Sequence, residues 1–239
     1  MRVKIRDYSY KEINELLRQG ESEYFLTGCM GQCLIAAGMS GIEVVIQGRP
    51  GNGLGAYLNG AKITVMDNAS DAVGDTMNDG EIIVFGNVGD SAGYAMRGGK
   101  IFVERDADYR AGIHMKAYRD KVPLLVIGGR AGSFLGEYQA GGVIVVLGLT
   151  AEDDERIVGH FPCTGMHGGK IILRSDCRDV VFPEHVTARA ATLEDTEEIK
   201  RYVSEYCELF GADRDEIMNS PFTVVTPLPQ SYKRFDAEE

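Results

Sequence analysis

The segment HFPCTGMH places His160, Cys163 and His167 within eight residues, three side chains whose nitrogen and sulfur donors suit a transition metal. The glycines around them, Gly165, Gly168 and Gly169, continue a longer glycine series, so the loop also reads as structural and no metal is assigned. Cys29 and Cys33 could form half of a zinc site, but no second pair follows at zinc spacing, which favours inert thiols. Asp75, Asp90 and Glu137 could exchange protons, yet they stand beside glycines, where carboxylates ordinarily cap turns; no catalytic residue is nominated. Two stretches invite a phosphate. GDSAGYAMRGGKIFV, residues 89–103, ends in Gly98-Gly99-Lys100, but Ile101 follows instead of Ser or Thr and Tyr94 stands where the loop needs glycine. GNGLGA, residues 51–56, fits a dinucleotide fingerprint with Asp71 downstream, but the next apolar run opens at Lys62, leaving no room for the helix that would hold the pyrophosphate.

These glycines recur. The unit G-x-x-G-x-x-x-G is intact at Gly48/Gly51/Gly55, Gly86/Gly89/Gly93 and Gly129/Gly132/Gly136, with degenerate copies ending at Gly74 and Gly112. The last glycines at 55, 74, 93 and 112 are 19 residues apart, and Gly136 and Gly165 continue the series with about 5 and 10 extra residues. A fixed period of this kind means a solenoid. Short apolar runs precede the copies, at Val44–Ile46, Ile63–Val65, Ile82–Val84, Ile101–Val103, Leu125–Ile127 and Ile144–Val146, with a seventh at Ile171–Leu173. They are too short for helices and too close together for βαβ crossovers. The expected fold is all-β: a single-stranded parallel β-helix of about seven coils, right-handed by strand twist and crossover preference.

Period-two alternation points Val44/Ile46 and their equivalents inward and leaves Val45, Thr64, Ile83, Phe102, Val126 and Val145 as an outer stripe, apolar in all but one coil. Such a stripe must be covered, in part by terminal helices and otherwise by a partner chain or a second copy. Leu58, Met77, Met96 and Met115 each follow the last glycine of a coil by three residues and read as a core ladder.

The chain of 239 residues has 30 Gly and no Trp, which fits one turn-rich domain. A net charge of −11 argues against nucleic acid and anionic membranes as partners. No apolar segment is long enough to span a bilayer, the N-terminus lacks a signal-peptide core, and five cysteines form no disulfide framework; a cytoplasmic protein is expected. Residues 1–27 read as an N-terminal helical cap, with Ser9 and Glu12 as a capping box and Gly20 as terminator, 28–183 as the β-helix, and 184–239 as C-terminal helices and tail. Within the last part, 192–210 is a helix stopped by Gly211, 213–219 a shorter one, and FTVVTPLPQSYKRFDAEE an extended tail.

The series GLGAYLNGAKITV, GDSAGYAMRGGKIFV, RAGIHMK, GSFLGEYQAGGVIVVLG and GMHGGKI resembles the C-terminal GXGXG domain of the glutamate synthase large subunit, and INELLR and SYKRF resemble that domain's edges. The resemblance implies a β-helix that carries neither the glutaminase nucleophile nor flavin and iron-sulfur chemistry. It implies no cofactor of its own and a stand-alone version of one domain, working beside an FMN-binding synthase chain and a glutamine amidotransferase chain, and open to homo-oligomerisation. Gln139 departs from the family, which usually has Met there. The non-catalytic β-helical component of formylmethanofuran dehydrogenase has similar coils and is the alternative. An independent nucleotide- or metal-binding protein is the enzyme-class alternative.

Overall fold

Stacked parallel strands dominate the computed structural model, which describes residues 1–152 and 155–229. The elements are β1 (Arg2–Lys4), α1 (Tyr10–Leu17), β2 (Glu23–Met30), β3 (Glu43–Arg49), β4 (Asn59–Val65), β5 (Asp79–Val84), β6 (Lys100–Val103), β7 (Leu124–Ile127), β8 (Ala140–Val146), β9 (Gly168–Leu173), β10 (Val186–Ala190), α2 (Leu193–Phe210), α3 (Arg214–Met218) and β11 (Thr223–Pro227). One sheet runs in the order β1-β2-β3-β4-β5-β6-β7-β8-β9-β11-β10, parallel from β1 through β9. This is a parallel β-helix of about eight turns. It exceeds the count from glycines because β1 and β2 precede the first glycine copy. Residue 28, taken as the start of the β-helix, falls inside β2.

Register explains the core. Val44, Ile63, Ile82, Ile101, Leu125, Ile144 and Ile171 pair coil to coil, and all point inward to exposures of 0 or 1 %. A second, shorter parallel ladder, Ala69, Val88, Ala107, Ala131 and Val158, closes another wall of the solenoid. Leu58, Met77, Met96 and Met115 fill the core, and Gln139 and Met166 extend the same row, every one fully buried. Gln139 fits because its Nε2 donates to the Gly141 and Gly142 carbonyls, although its Oε1 has no partner.

The corner row has a stricter cause. Ala36, Gly55, Gly74, Gly93, Gly112, Gly136 and Cys163 all take φ between 58° and 72°. From Gly55 onward each donates its N–H to the coil before: Gly112 to Ala92 O at 2.8 Å, Gly136 to Ala111 O at 2.9 Å and Cys163 to Leu135 O at 2.8 Å. A Cβ at Gly74 would run into Ile101 Cδ1, and one at Gly136 into Ile171 Cδ1, whereas at Gly93 the nearest atom would be 3.6 Å away. Glycine is therefore favoured along the row by the left-handed backbone, and at Gly74 and Gly136 by the facing strand as well. Cys163, not Gly165, closes the row, so the last irregular coil carries fewer extra residues than the glycine series suggests.

Other corner glycines have a different reason. Gly51, Gly86, Gly89, Gly129 and Gly132 are absent from the residues with positive φ. A Cβ at Gly86 would meet Asn68 Oδ1, and one at Gly89 or Gly129 would meet the carboxylate of Asp71 or Asp106. These oxygens are occupied in bridging coils: Asn68 accepts from Asn87 N at 2.7 Å, Asn87 from Asp106 N at 3.0 Å and Asp106 from Arg130 N at 2.7 Å. The bare α-carbon lets each side chain reach the next coil.

The flanks cover the sheet. α1 has the expected capping box at Ser9 and Glu12, and α2 has one at Thr192 and Asp195 with Gly211 in the left-handed region. Ile199, Tyr202, Val203 and Tyr206 of α2 pack on Phe102, Val126, Val145 and Ile172. Lys100 and Lys170 pin the helix at 2.5 Å to Glu205 and Glu198, and Tyr206 Oη donates to Glu104 O at 2.8 Å. This overturns the expectation that Phe102 and Val126 face a partner chain: both are fully buried and cluster with the apolar side of the chain's own helix, while Val45 and Thr64 at the other end of the stripe are half-buried and outside that cluster. The extended tail also resolves differently. Thr223–Pro227 enters the sheet as β11, antiparallel between β9 and β10, while Ser231 to Phe235 lie outside the described residues.

Two stability tests follow. Gly74→Ala is expected to cost about 3 kcal/mol or more, since strain and overpacking add. Gly93→Ala is expected to cost about 1–2 kcal/mol from strain alone, and Asp90→Ala least; urea midpoints that fail to rank in this order refute the two-cause account. Asp195 accepts from Arg189 Nη1 at 2.5 Å and from Thr192 N and Oγ1, each at 2.8 Å; these bonds, the Arg189 guanidinium foremost, hold its carboxyl well below the usual range. A group depressed in the folded state stabilises above its unfolded pKa and loses that contribution as pH falls. Asp195→Asn is expected to lower stability by about 1–3 kcal/mol at pH 7, with the difference from the unaltered protein shrinking through the acid limb; a gap independent of pH contradicts the charge assignment.

Candidate functional site: the aromatic edge of the corners

Three of every coil's residues are left-handed, not one. Two positions before the glycine row come Leu34, Gly53, Ala72, Ser91, Arg110, Phe134 and Phe161, and two positions after it Gly38, Tyr57, Thr76, Ala95, His114, Tyr138 and Gly165, all with φ between 50° and 72°. Their N–H groups reach forward to the next coil, as in Tyr57 to Asp75 O at 2.7 Å and Phe134 to His160 O at 2.8 Å. Among the described residues, thirteen of the fifteen non-glycine residues with positive φ belong to these three rows, a concentration that inter-coil hydrogen bonding enforces.

The two outer rows turn their side chains outward on this edge, and toward the C-terminal coils those side chains are large. Arg110 lies 5.2 Å from the Phe134 ring centre, Phe134 stacks on Phe161 at 5.4 Å, and His114 stacks on Tyr138 at 5.2 Å. Phe161 is 64 % exposed, and Tyr109 and Tyr138 are also exposed. Beside them runs an acidic row: Asp90 N donates to Asp71 Oδ1 and Tyr109 N to Asp90 Oδ1, both at 3.1 Å. Burial, with Asp90, Asp71 and Asp106 nearby, pushes the Asp108 carboxyl above its ordinary value. The edge thus offers flat apolar faces bordered by negative charge, a combination suited to contact with another surface. Sequence reasoning missed these aromatics; their signal is their offset of two from the glycine row.

The residues first considered for chemistry are dispersed. His160 and His167 are exposed, whereas Cys163 is fully buried in the corner row, its thiol pushed up to about 12 by burial. Cys29 is buried, with its pKa raised to about 11 by desolvation, while Cys33 is exposed. Among the described residues no three or more His, Cys, Asp or Glu side chains are grouped to hold a metal. Asp75 accepts from Thr76 Oγ1 at 2.7 Å, Asp90 caps Tyr109, and Glu137 pairs with Arg110 at 3.1 Å. Gly98-Gly99-Lys100 runs into β6, and GNGLGA runs into β4, so neither stretch opens a helix. No helix among the described residues is long and apolar enough to cross a membrane.

The family model described as GXGXG motif matches residues 22–227. This chain belongs to the GXGXG family. That family is the one of the glutamate synthase C-terminal domain. A similar protein of Methanocaldococcus jannaschii, described as uncharacterized, is 41 % identical over 239 residues, covering 95 % of this chain and 92 % of its own length. The run Gly51-Asn52-Gly53-Leu54-Gly55 has the spacing of that motif, with Gly55 in the corner row and Gly53 two positions before it.

The burial of the thiols is directly testable. At pH 8 a thiol reagent is expected to modify Cys33 rapidly and Cys29 and Cys163 only on unfolding, because a raised pKa leaves little thiolate. Rapid native-state labelling of Cys163, located by peptide mapping, is the result that refutes its place in the core.

Proposed function

We propose that the chain is a non-catalytic β-helical subunit of a cytoplasmic glutamate synthase, which transfers the amide nitrogen of glutamine to 2-oxoglutarate. The observation that carries this reading is the match to the GXGXG family along nearly the whole solenoid. The relative from Methanocaldococcus jannaschii supports a stand-alone form, since the match spans nearly all of both chains. The role is positional: a rigid spine that holds an FMN-binding synthase chain and a glutamine amidotransferase chain in register. The exposed aromatic edge around Phe161 and Tyr138 is the surface assigned to that contact, because it lies outside the area that α2 occupies.

Co-expression with the synthase and amidotransferase chains of the same cell tests this. The expected outcome is a complex that sustains glutamine-dependent turnover, with the GXGXG chain inert alone, and whose assembly is weakened about tenfold or more by Phe161→Asp with unchanged melting temperature. Turnover by the isolated chain, or failure of the three chains to co-purify, overturns the proposal.

A further inference from the structure

The irregular spacing between Gly112 and Gly136 builds a structure that the assembly role does not use. The additional residues form a tight hairpin, in which Tyr118 N donates to Lys121 O at 3.0 Å and Lys121 N to Tyr118 O at 3.1 Å. Lys121 carries the hairpin back across the solenoid, its Nζ donating to Asp79 Oδ2 at 2.6 Å and Asn78 O at 3.3 Å. Gly98 admits it, since a Cβ there would come within 3.1 Å of Lys121 Cβ. Asp79 is held below its ordinary pKa chiefly by that lysine.

Between hairpin and coils lies a cavity of about 540 Å³, lined by Tyr57, Asn59, Asn78 and Arg97 on the coil side and by Tyr118 to Lys121 on the hairpin side. Asn59, Asn78 and Arg97 occupy the same place in three successive coils, so amide and guanidinium donors form a floor at intervals of about 4.8 Å. Neither Arg97 nor Arg119 has an ion pair among the described residues; Arg119 rests only against its neighbour's ring, 5.1 Å from the Tyr118 centre. The cavity holds three cations, Arg97, Arg119 and Lys121, against Asp120 within it and Asp79 at the anchor, in a chain whose net charge is −11. Tyr57 and Tyr118 offer flat, half-exposed faces at its rim.

We propose that this cavity binds a small planar anion, an aromatic or heteroaromatic body bearing a carboxylate or phosphoryl group. Arg97 and Arg119 receive the charge, the Asn59 and Asn78 amides supply further polar contacts, and Tyr57 and Tyr118 cover the flat face. Concave sites of a few hundred Å³ with a few convergent donors suit ligands of this size, and planar guanidinium groups suit these two anions. The proposal stands independently of the partner-chain reading, because the contact surface assigned there centres on Phe161 and Tyr138, neither of which lines this cavity.

Isothermal titration of the purified chain tests it, with adenosine 5′-monophosphate as phosphoryl probe, 4-hydroxybenzoate as carboxylate probe, and adenosine and phenol as uncharged counterparts. At least one anion is expected to bind saturably at submillimolar concentration, about tenfold or more tighter than its uncharged counterpart and more weakly as salt rises. Arg97→Ala and Arg119→Gly, the latter compatible with the residue's φ of 58°, are each expected to weaken that binding about tenfold. Arg178→Ala, at a remote exposed arginine, is expected to leave it unchanged. Both cavity variants alter exposed side chains, and unchanged melting curves establish that they fold. Absence of saturable binding by either anion, equal binding by the uncharged counterparts, or full affinity in both cavity variants overturns the proposal.

Discussion

Everything in this fold depends on one constraint: the backbone of each coil must hydrogen-bond to the coils on both sides at its corners as well as along its strands. In the strands this is ordinary parallel pairing. At the corner, three alternate residues adopt left-handed backbone so that the middle one donates backward and the outer two donate forward. The middle residue faces the sheet and, at Gly55, Gly74, Gly112 and Gly136, a Cβ would run into a facing isoleucine, whereas the outer two face solvent and in several coils carry Tyr, Phe, His or Arg. A conformation that would be costly once is sustained by repetition, because a residue that left it would break bonds on either side.

Much of this architecture is legible in the residues themselves. Alternation in Ile63–Val65 and its equivalents assigns the inner face, the spacing of Gly55, Gly74, Gly93 and Gly112 gives the coil length, and Ser9, Thr192 and Gly211 mark helix ends by local chemistry. What escapes is whatever depends on contacts between distant segments. Phe102 and Val126 look like an interface because a stripe of apolar residues states only that something covers it, and α2 is about 70 residues or more further along the chain. β11 escapes because a short apolar run beside prolines reads as a tail until β9 offers it an edge. The aromatic edge is hidden for another reason: φ > 0 at Phe134 or Tyr138 runs against ordinary backbone preference, and only the hydrogen bonds of neighbouring coils place them there.

Polar side chains reinforce the backbone ladder with a direction of their own. Asn68, Asn87 and Asp106 each reach forward to the main chain of the next coil, so each coil presents a prepared acceptor to the one that follows it in sequence. Irregularity is tolerated where it does not interrupt these rows. The additional residues before Gly136 leave the core positions Met115 and Gln139 in line and project as the hairpin around Tyr118 and Lys121.

A stack of identical parallel rungs has an intrinsic hazard, since its last rung is as good a template as any within it. Here β11 lies antiparallel on β9, and β10 lies antiparallel on β11, so the backbone pattern offered at that end no longer matches a β-helical coil. The added pair of strands, which carries no corner row, makes the solenoid finite. The edge strand β10, reversed twice, runs in the direction of β9, but it is a strip of five residues, mostly exposed and bearing Arg189, so a second molecule arriving with its first coil finds one short strand in place of a complete rung.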